Sequence, residues 1–260
     1  MHNHPTAKSM KSLMQFLKLI QVHDCEFTKV RVGNGNDGSY AVLHEICKIT
    51  PVVYSFGIGE DISFEKDFKR RYPQAEIHLY DPYVGCLPEQ CQGLNFHKNG
   101  IGHNYDAPPP IVQDSLLKMD IEGNEWSAFY TFELSELKKF SQIVCEFHII
   151  DVPPRYDLTV FMTKLYNDNY FKINEWLFQS YAQVFELLLS WFTIVHIHAN
   201  NSLPLACVNG YTFPPLLELT FLRNDLAQQF TPTKQTFPIP RLDVPNKLDR
   251  PDLHDYYPLI

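Results

Sequence analysis

Two apolar segments of this sequence are each followed at once by residues that could contact a ligand. Gly57 and Gly59 follow the segment that ends at Phe56, and Asp81 follows the next segment, roughly 20 residues later. Glycines at a strand end let the backbone approach a ligand with no Cβ in the way. A carboxylate at the second strand end can accept hydrogen bonds from both hydroxyls of a ribose. Each feature alone is also typical of an ordinary turn, but together they indicate a nucleoside site.

The residues after the glycines restrict which ligand fits. The third glycine of a dinucleotide fingerprint is missing, and Glu60 and Asp61 follow directly. Carboxylates at the start of a helix repel a pyrophosphate. A ligand with a cationic sulfonium and an amino group, and without phosphate, suits this acidic turn better, and Glu60 is a candidate contact for it.

Acidic residues and a histidine follow two later apolar segments. Asp120 and Glu122 come after the first of these, and Glu146 and His148 lie at the end of the second. Alternation along a strand puts Glu146 and His148 on one face. Asp120, Glu122 and His148 are therefore candidates for taking a proton from a nucleophile, and His148 could instead bind a metal. Asp120 could equally orient backbone or an amine, and Glu122 could cap the helix through Trp126.

His196 and His198, with Asn200 and Asn201, form a second cluster of polar residues. If this segment is a strand, both histidines share a face and could bind a metal together; ordinary hydrogen-bonded histidines are the alternative. No residue is assigned as a metal ligand from the sequence, and a divalent metal is left open as a cofactor. The six cysteines show no CxxC spacing, which argues against a zinc site.

The candidate residues fall where the strands of an alternating pattern should end. Five apolar segments alternate with helix-like ones, which is typical of βαβ units and a mostly parallel sheet. In such a sheet, ligands bind outside the carboxyl ends of the strands, where the strand order reverses. The predicted strands are Pro51–Phe56, Glu76–Tyr80, Leu94–His97, Ser115–Met119 and Gln142–Phe147, and a helix is predicted from Ser63 to just before Pro73.

Residues beyond 150 are predicted to complete the sheet. The expected elements are a helix over 158–166 and strands over 171–178, 193–198 and 217–222, of which at least two join antiparallel. The predicted fold class is α/β: a doubly wound, mostly parallel seven-stranded sheet of the Rossmann-like kind, with an antiparallel C-terminal strand and an N-terminal helical extension.

Length and proline content predict the domain organisation. The chain has 260 residues, enough for one α/β domain with additions. Residues 1–230 are predicted to form a single domain that begins with a helical and entry segment over residues 1–50, whose helix is indicated by apolar residues that recur at helical spacing between Met10 and Ile20. Six prolines follow Phe230 and predict an extended or wrapping tail over residues 231–260.

Composition argues against several kinds of partner. The net charge is −8, from 30 acidic and 22 basic residues, so a nucleic acid is not expected. The longest apolar run, Phe185–Val195, is interrupted by polar residues and is too short to span a bilayer. Cys86 and Cys91 could form a disulfide, but free thiols in a reducing compartment, the cytoplasm, are preferred.

Four stretches together resemble the FkbM-type methyltransferases and their animal methyltransferase-like relatives. They are VVYSFGIGEDISFEKDF at 52–68, HLYDP at 78–82, NGIG at 99–102 and LLKMDIEGNEW at 116–126. The KMDIEGNEW block is the most specific, and the glycine motif departs from the usual three-glycine form. Further upstream, the sequence from Arg31 to Tyr40 is similar to another motif of that family, with Ser39 in place of its second glycine. The resemblance runs from about residue 31 to residue 225.

This resemblance implies a class I S-adenosylmethionine-dependent methyltransferase. Gly57 and Gly59 would line the methionine part of the cofactor, Asp81 would bind the ribose, and Asp120 would close the site near the methyl group. The adenine edge would be lined by Asn99, Gly100 and Ile101. The implied reaction is O-methylation of a small molecule or glycan, with a hydroxyl of a sugar or glycan as the favoured acceptor.

Two other functions stay open at the level of the sequence. One is a nucleotide- or nucleotide-sugar-binding Rossmann protein without methyl transfer, against which Glu60 and Asp61 argue. The other is a non-catalytic interaction module that keeps the fold and docks a partner through its tail. The retention of Gly57, Asp81 and Asp120 argues for an active site.

Overall fold

One seven-stranded sheet organises the molecule. The computed structural model describes residues 7–87, 92–102, 105, 107–149, 175–208 and 211–256. In spatial order the strands are β6 (Leu94–His97), β5 (Glu76–Tyr80), β4 (Val52–Phe56), β7 (Ser115–Met119), β8 (Phe140–His148), β12 (Leu216–Arg223) and β9 (Phe192–Ala199). The first five run parallel, and β12 is antiparallel to both of its neighbours. The predicted fold class is confirmed.

The central strands are buried along their whole length because they are covered on both faces. Every residue of β4, β7 and β8 is buried, as is usual for parallel strands with helices on each side. From β4 the chain moves outward to β5 and β6 and then returns to β7 on the other side of β4. The strand order therefore reverses between β4 and β7, where ligands of such sheets bind.

Helices cover both faces of the sheet. The helices are α1 (Ala7–Leu19), α2 (His44–Ile49), α3 (Ser63–Arg71), α4 (Glu125–Phe129), α5 (Leu134–Leu137) and α6 (Glu175–Leu189). α3 confirms the predicted helix: Phe64, Phe68 and the following Tyr72 are buried, and the chain turns before Pro73. α1 packs against α6 through the ring of Phe16, which contacts Tyr181 and Phe185 edge-on.

In the part of the chain that the structure describes, three two-stranded ladders lie outside the main sheet. They pair β1 (His23–Asp24) with β13 (Thr231–Pro232), β2 (Lys29–Val32) with β3 (Tyr40–Leu43), and β10 (Ala206–Val208) with β11 (Tyr211–Phe213). The first ladder joins the start of the tail to the N-terminal segment. Further along the tail, Phe237, Asp243, Asn246 and Tyr256 are buried.

The later elements agree with the sequence only in part. β9 and β12 extend the strands predicted over 193–198 and 217–222, and both join by antiparallel pairing, although β12 alone runs against the other strands. The strand predicted over 171–178 is wrong from residue 175 onward, where α6 begins. The predicted helix over 158–166 and residues 171–174 lie outside the described residues. Within the described ranges, no helix combines the length and apolarity that a membrane crossing needs.

Candidate functional site

Gly57 follows β4 and packs directly against the backbone that follows β7. Its N–H donates to the carbonyl of Tyr80 at 2.9 Å, its φ is +77°, and a Cβ at this position would lie 1.6 Å from the carbonyl oxygen of Asp120. Only glycine fits here. Gly59 also has a positive φ, of +50°, but a Cβ there would meet nothing within 4 Å. Gly57 thus closes the packing between two strand ends, while Gly59 borders open space, as does the exposed Glu60.

Asp81 joins the two loops that follow β4 and β5. Its Oδ2 accepts hydrogen bonds from the N–H groups of Ile58 at 3.2 Å and Gly59 at 3.1 Å, and its Oδ1 accepts from Tyr83 at 2.8 Å and Val84 at 3.1 Å. Burial alone would raise the pKa of Asp81, but these four N–H groups lower it below its ordinary value. A carboxylate offers about four acceptor positions, so a ribose hydroxyl would share an oxygen with a backbone N–H.

The predicted adenine-edge residues follow β6. Asn99 Oδ1 accepts the N–H of Gly100 at 2.9 Å, and the side chain of Ile101 is buried in the main core. The ring of Tyr105 lies against Gly100, where a Cβ would come within 2.8 Å of it. The hydroxyls of Tyr105 and Tyr83 are 3.1 Å apart, so two tyrosines connect the loops after β5 and β6.

The N-terminus of α3 already carries a carboxylate. Oδ1 of Asp61 accepts the N–H of Ser63, the first residue of the helix, at 2.8 Å. Helix N-termini bind phosphate through such free N–H groups and a favourable dipole. Here the chain's own side chain takes that role, which agrees with the predicted repulsion of a pyrophosphate.

Asp120, Glu146 and His148 come together at the ends of β7 and β8. One ligand-type atom from each lies within 4.8 Å of the others. The hydroxyl of Tyr40 donates to Oδ2 of Asp120 at 2.8 Å, and Lys118 Nζ donates to the carbonyl of Gly57. Burial raises the pKa of Asp120. Burial and then the charge of Asp120 raise the pKa of Glu146 well above its ordinary value.

His148 is surrounded by three carboxylates. Its Nε2 lies 3.4 Å from Oε2 of Glu122 and 3.9 Å from Oε1 of Glu146, and its Nδ1 lies 3.2 Å from Oε1 of Glu125. Burial would lower the pKa of His148, but hydrogen bonding to Glu122 and Glu125 and the charges of Glu125 and Glu146 raise it to about 12. The imidazole is therefore protonated at neutral pH, which does not suit the predicted role of proton acceptor.

Glu125 is a site residue that the sequence reasoning missed. Its side chain is fully buried, and Oε1 accepts the N–H groups of Ile121 at 2.8 Å and Gly123 at 3.2 Å. The predicted helix-capping role of Glu122 is wrong, because the N-cap of α4 is Asn124 and no side chain forms a capping hydrogen bond there. Both glutamates lie within two residues of Gly123, and the sequence carries no signal that separates them.

The histidines of the second cluster bind carboxylates. Nε2 of His196 lies 2.8 Å from Oδ1 of Asp243, while His198 pairs through Nδ1 with Glu218 at 3.0 Å and through Nε2 with Asp252 at 3.1 Å. Among the described residues, the one group of three or more with metal-binding spacing is Asp120, Glu146 and His148. His196 and His198 are therefore hydrogen-bonded histidines of the ordinary kind, which was the alternative to metal binding.

A surface groove of about 800 Å³ lies between α3 and the loop containing Gly33 and Asn34. None of the predicted cofactor residues lines it. The chemistry-bearing residues are instead at the strand ends described above, and we place the candidate site there.

No protein-family model matches the chain, and no curated protein matches it. Solved structures similar to it include the fibrillarin pre-rRNA processing protein of Methanococcus jannaschii, which is 8% identical over 68% of this chain and 68% of that chain with a TM-score of 0.37. The plantazolicin methyltransferase BpumL in complex with SAH is 13% identical over 84% and 83%, with a TM-score of 0.37. The 16S rRNA methyltransferase KamB is 13% identical over 75% and 100%, with a TM-score of 0.32. Similarities at this level say nothing about what this chain binds.

Proposed function

We propose that this chain is a class I S-adenosylmethionine-dependent methyltransferase of the FkbM type. The observation that carries the proposal is the position of the Asp120–Glu146–His148 group. It lies at the ends of β7 and β8, next to the strand-order reversal between β4 and β7, and its Asp120 lies against the glycine turn at Gly57. Carboxylates at this place favour a cationic ligand, and the occupied N-terminus of α3 disfavours a phosphate-containing one.

The cofactor would lie across the loops that follow β4, β5 and β6. In this proposal Gly59 and Glu60 border the methionine part, because both face open space. Asp81 fixes the loops around the ribose. The adenine contacts come from the segment Asn99–Ile101, in which Asn99 and Gly100 are partly exposed. Gly57 acts indirectly, by allowing β4 and β7 to pack.

The reaction is an in-line displacement that needs alignment and removal of a proton. S-adenosylmethionine supplies an electrophilic methyl carbon on a sulfonium. An acceptor oxygen about 3 Å from that carbon forms the new C–O bond while the C–S electron pair returns to sulfur. The hydroxyl proton goes to a carboxylate of the cluster around His148, and Tyr40 positions Asp120 through its hydrogen bond.

The acceptor in this proposal is a hydroxyl group, with a sugar or glycan favoured. Support for it comes from the FkbM-type resemblance and from carboxylates able to take the proton. Aromatic rings often stack on sugars, but the rings of Trp126 and Tyr181 stack on each other in the core, with centroids 3.7 Å apart. The exposed ring of Tyr83, at 85% exposure, remains at the surface near the proposed cofactor loops.

Ligand-dependent melting tests the cofactor assignment. S-adenosylhomocysteine at 100 times its dissociation constant should stabilise the fold by about 2.7 kcal/mol, whereas NAD and a nucleotide sugar should not stabilise it. Asp81→Ala should abolish the shift, and Asp249→Ala, whose side chain is 77% exposed, should keep it. No shift with saturating S-adenosylhomocysteine rejects the proposal. A shift with NAD or the nucleotide sugar instead supports the Rossmann-protein alternative.

Screening hydroxylated acceptors for release of S-adenosylhomocysteine then tests the reaction.

A further inference from the structure

The close approach of Asp120, Glu146 and His148 fits coordination of a single ion. Their ligand-type atoms lie within 4.8 Å of one another, and two ligands of one ion at about 2.0–2.6 Å are at most about 5 Å apart. We infer that these three side chains bind one divalent cation of the Mn²⁺ or Mg²⁺ type. Carboxylate oxygens suit these ions, and an imidazole nitrogen adds selectivity for a transition metal such as Mn²⁺.

Each carboxylate of the group accepts a hydrogen bond at one oxygen. The hydroxyl of Tyr40 binds Oδ2 of Asp120 at 2.8 Å, and Nδ2 of Asn200 binds Oε2 of Glu146 at 3.0 Å. Oε1 of Glu146 faces His148 across 3.9 Å. Side chains that bind metals characteristically have such outer partners, which fix their orientation.

The imidazole of His148 is oriented as a metal-binding histidine is. His148 is 9% exposed. Its Nδ1 faces the buried carboxylate of Glu125 at 3.2 Å, and this nitrogen is buried without a hydrogen bond of good geometry. Its Nε2 points toward Glu122 and Glu146. In carboxylate–histidine–metal arrangements one ring nitrogen faces a carboxylate and the other binds the ion.

The charges around the group also call for a cation. Asp120, Glu122, Glu125 and Glu146 bring four carboxyl groups to this place, three of them within 4 Å of His148. The nearby Lys118 already donates to the carbonyl of Gly57. Carboxylates buried without sufficient positive charge are costly, and a divalent cation offsets that cost when it replaces the proton on Nε2 of His148.

The second histidine cluster lacks this arrangement and provides the control. Both ring nitrogens of His198 form hydrogen bonds to buried carboxylates, Glu218 at 3.0 Å and Asp252 at 3.1 Å, whereas Nε2 of His148 faces the exposed Glu122 across 3.4 Å. Asp252→Asn changes a carboxylate next to a buried histidine without touching the proposed site.

The role of the cation rests on the proposed function, although the site itself does not. A hydroxyl oxygen of the acceptor bound to the cation would lose its proton more readily and be held in place for attack. Asp120 and Glu146 would then be ligands, and Glu122, whose side chain is 89% exposed, would be the carboxylate that takes the proton.

Direct titration with MnCl₂ tests the site without any acceptor. We expect the purified chain to bind one Mn²⁺, measured from the loss of the electron paramagnetic resonance signal of free Mn²⁺. Asp120→Asn and Glu146→Gln should abolish binding. Tyr40→Phe, a conservative change that removes only an outer partner, should weaken it about 10- to 100-fold. Asp252→Asn should bind as the native chain does.

Each outcome decides between the proposals. Absence of Mn²⁺ binding at millimolar MnCl₂, or equal binding by the native chain, Asp120→Asn and Tyr40→Phe, overturns the metal site. The metal site is also overturned if Asp252→Asn weakens Mn²⁺ binding as much as Tyr40→Phe does. Binding of S-adenosylhomocysteine by the same samples, measured calorimetrically, separates the two proposals. If the chain binds S-adenosylhomocysteine but not Mn²⁺, the proposed function stands and the metal site does not. If it binds Mn²⁺ but not S-adenosylhomocysteine, only the metal site stands.

Discussion

At the scale of single residues, Gly57 determines whether the two strand ends that border the site can meet. Alanine at this position needs a positive φ, which disfavours any residue with a Cβ by about 1–2 kcal/mol, and its Cβ would overlap the carbonyl of Asp120. We expect Gly57→Ala to lower the free energy of unfolding by more than about 2 kcal/mol and to weaken S-adenosylhomocysteine binding. Urea denaturation and calorimetry measure these two effects.

Gly59→Ala is the matched control for this prediction. Gly59 shares the positive φ, but a Cβ there meets no atom within 4 Å, so we expect a loss of only about 1 kcal/mol. If both alanine variants were destabilised equally, backbone conformation alone would explain Gly57, and the contact with Asp120 would be unimportant.

The sequence predicted residue types at the site better than their partners. Asp120, Glu146 and His148 were each placed at a strand end, and their convergence follows from the parallel sheet. Hydrogen-bond partners that lie far apart along the chain could not be predicted from the sequence. Tyr40 is 80 residues from Asp120, and Asp243 is 47 residues from His196. Such contacts depend on how loops and the tail pack, which no local spacing encodes.

At the scale of elements, α1 places the aromatic side chain of Phe16 in the core between two other helices. Phe16 is fully buried, and its ring lies 5.1–5.8 Å from those of Trp126, Tyr181 and Phe185. We expect Phe16→Ala to reduce the free energy of unfolding by about 3–5 kcal/mol, because a large cavity would open between α1, α4 and α6. Urea denaturation measures the loss.

The neighbouring Gln15 provides the comparison. It is exposed on the same helix, so Gln15→Ala should change the free energy of unfolding by no more than about 0.5 kcal/mol. A loss below about 1 kcal/mol for Phe16→Ala would mean that α1 contributes little to the stability of the sheet.

Short strands bounded by turn residues were predicted well, whereas a segment whose pattern fits both a helix and a strand was not. β5, β6 and β7 have the predicted bounds, because turn residues mark where each of them begins and ends. The start of α6 was assigned to a strand. Its buried residues Phe178, Tyr181, Ala182 and Phe185 have helical spacing, but a few apolar residues at its start fit either structure.

At the scale of the whole molecule, the tail supplies charges that the sheet needs. Arg31 lies 3.5 Å from Glu218 and 3.7 Å from Asp243 of the tail, and Asp252 of the tail pairs with His198. Buried ionic groups are tolerated only when paired. The predicted domain boundary at residue 230 stays a prediction, but these contacts cross it and bind the tail to β9 and β12.

The His198 network makes a pH-dependent contribution to stability. Burial would lower the pKa of His198, but the surrounding carboxylates Glu218, Asp252 and Asp243 raise it to about 10, above the value of about 6.5 in an unfolded chain. The contribution is therefore complete below about pH 6.5 and is lost as the pH rises through about 10.

We expect Asp252→Asn to lower the free energy of unfolding by about 1.5–3 kcal/mol at pH 6, and the difference from the native chain should shrink as His198 loses its proton. Urea denaturation across this pH range measures it, with Asp249→Asn as the exposed control; a difference that grew with pH would contradict the assignment of a charged His198.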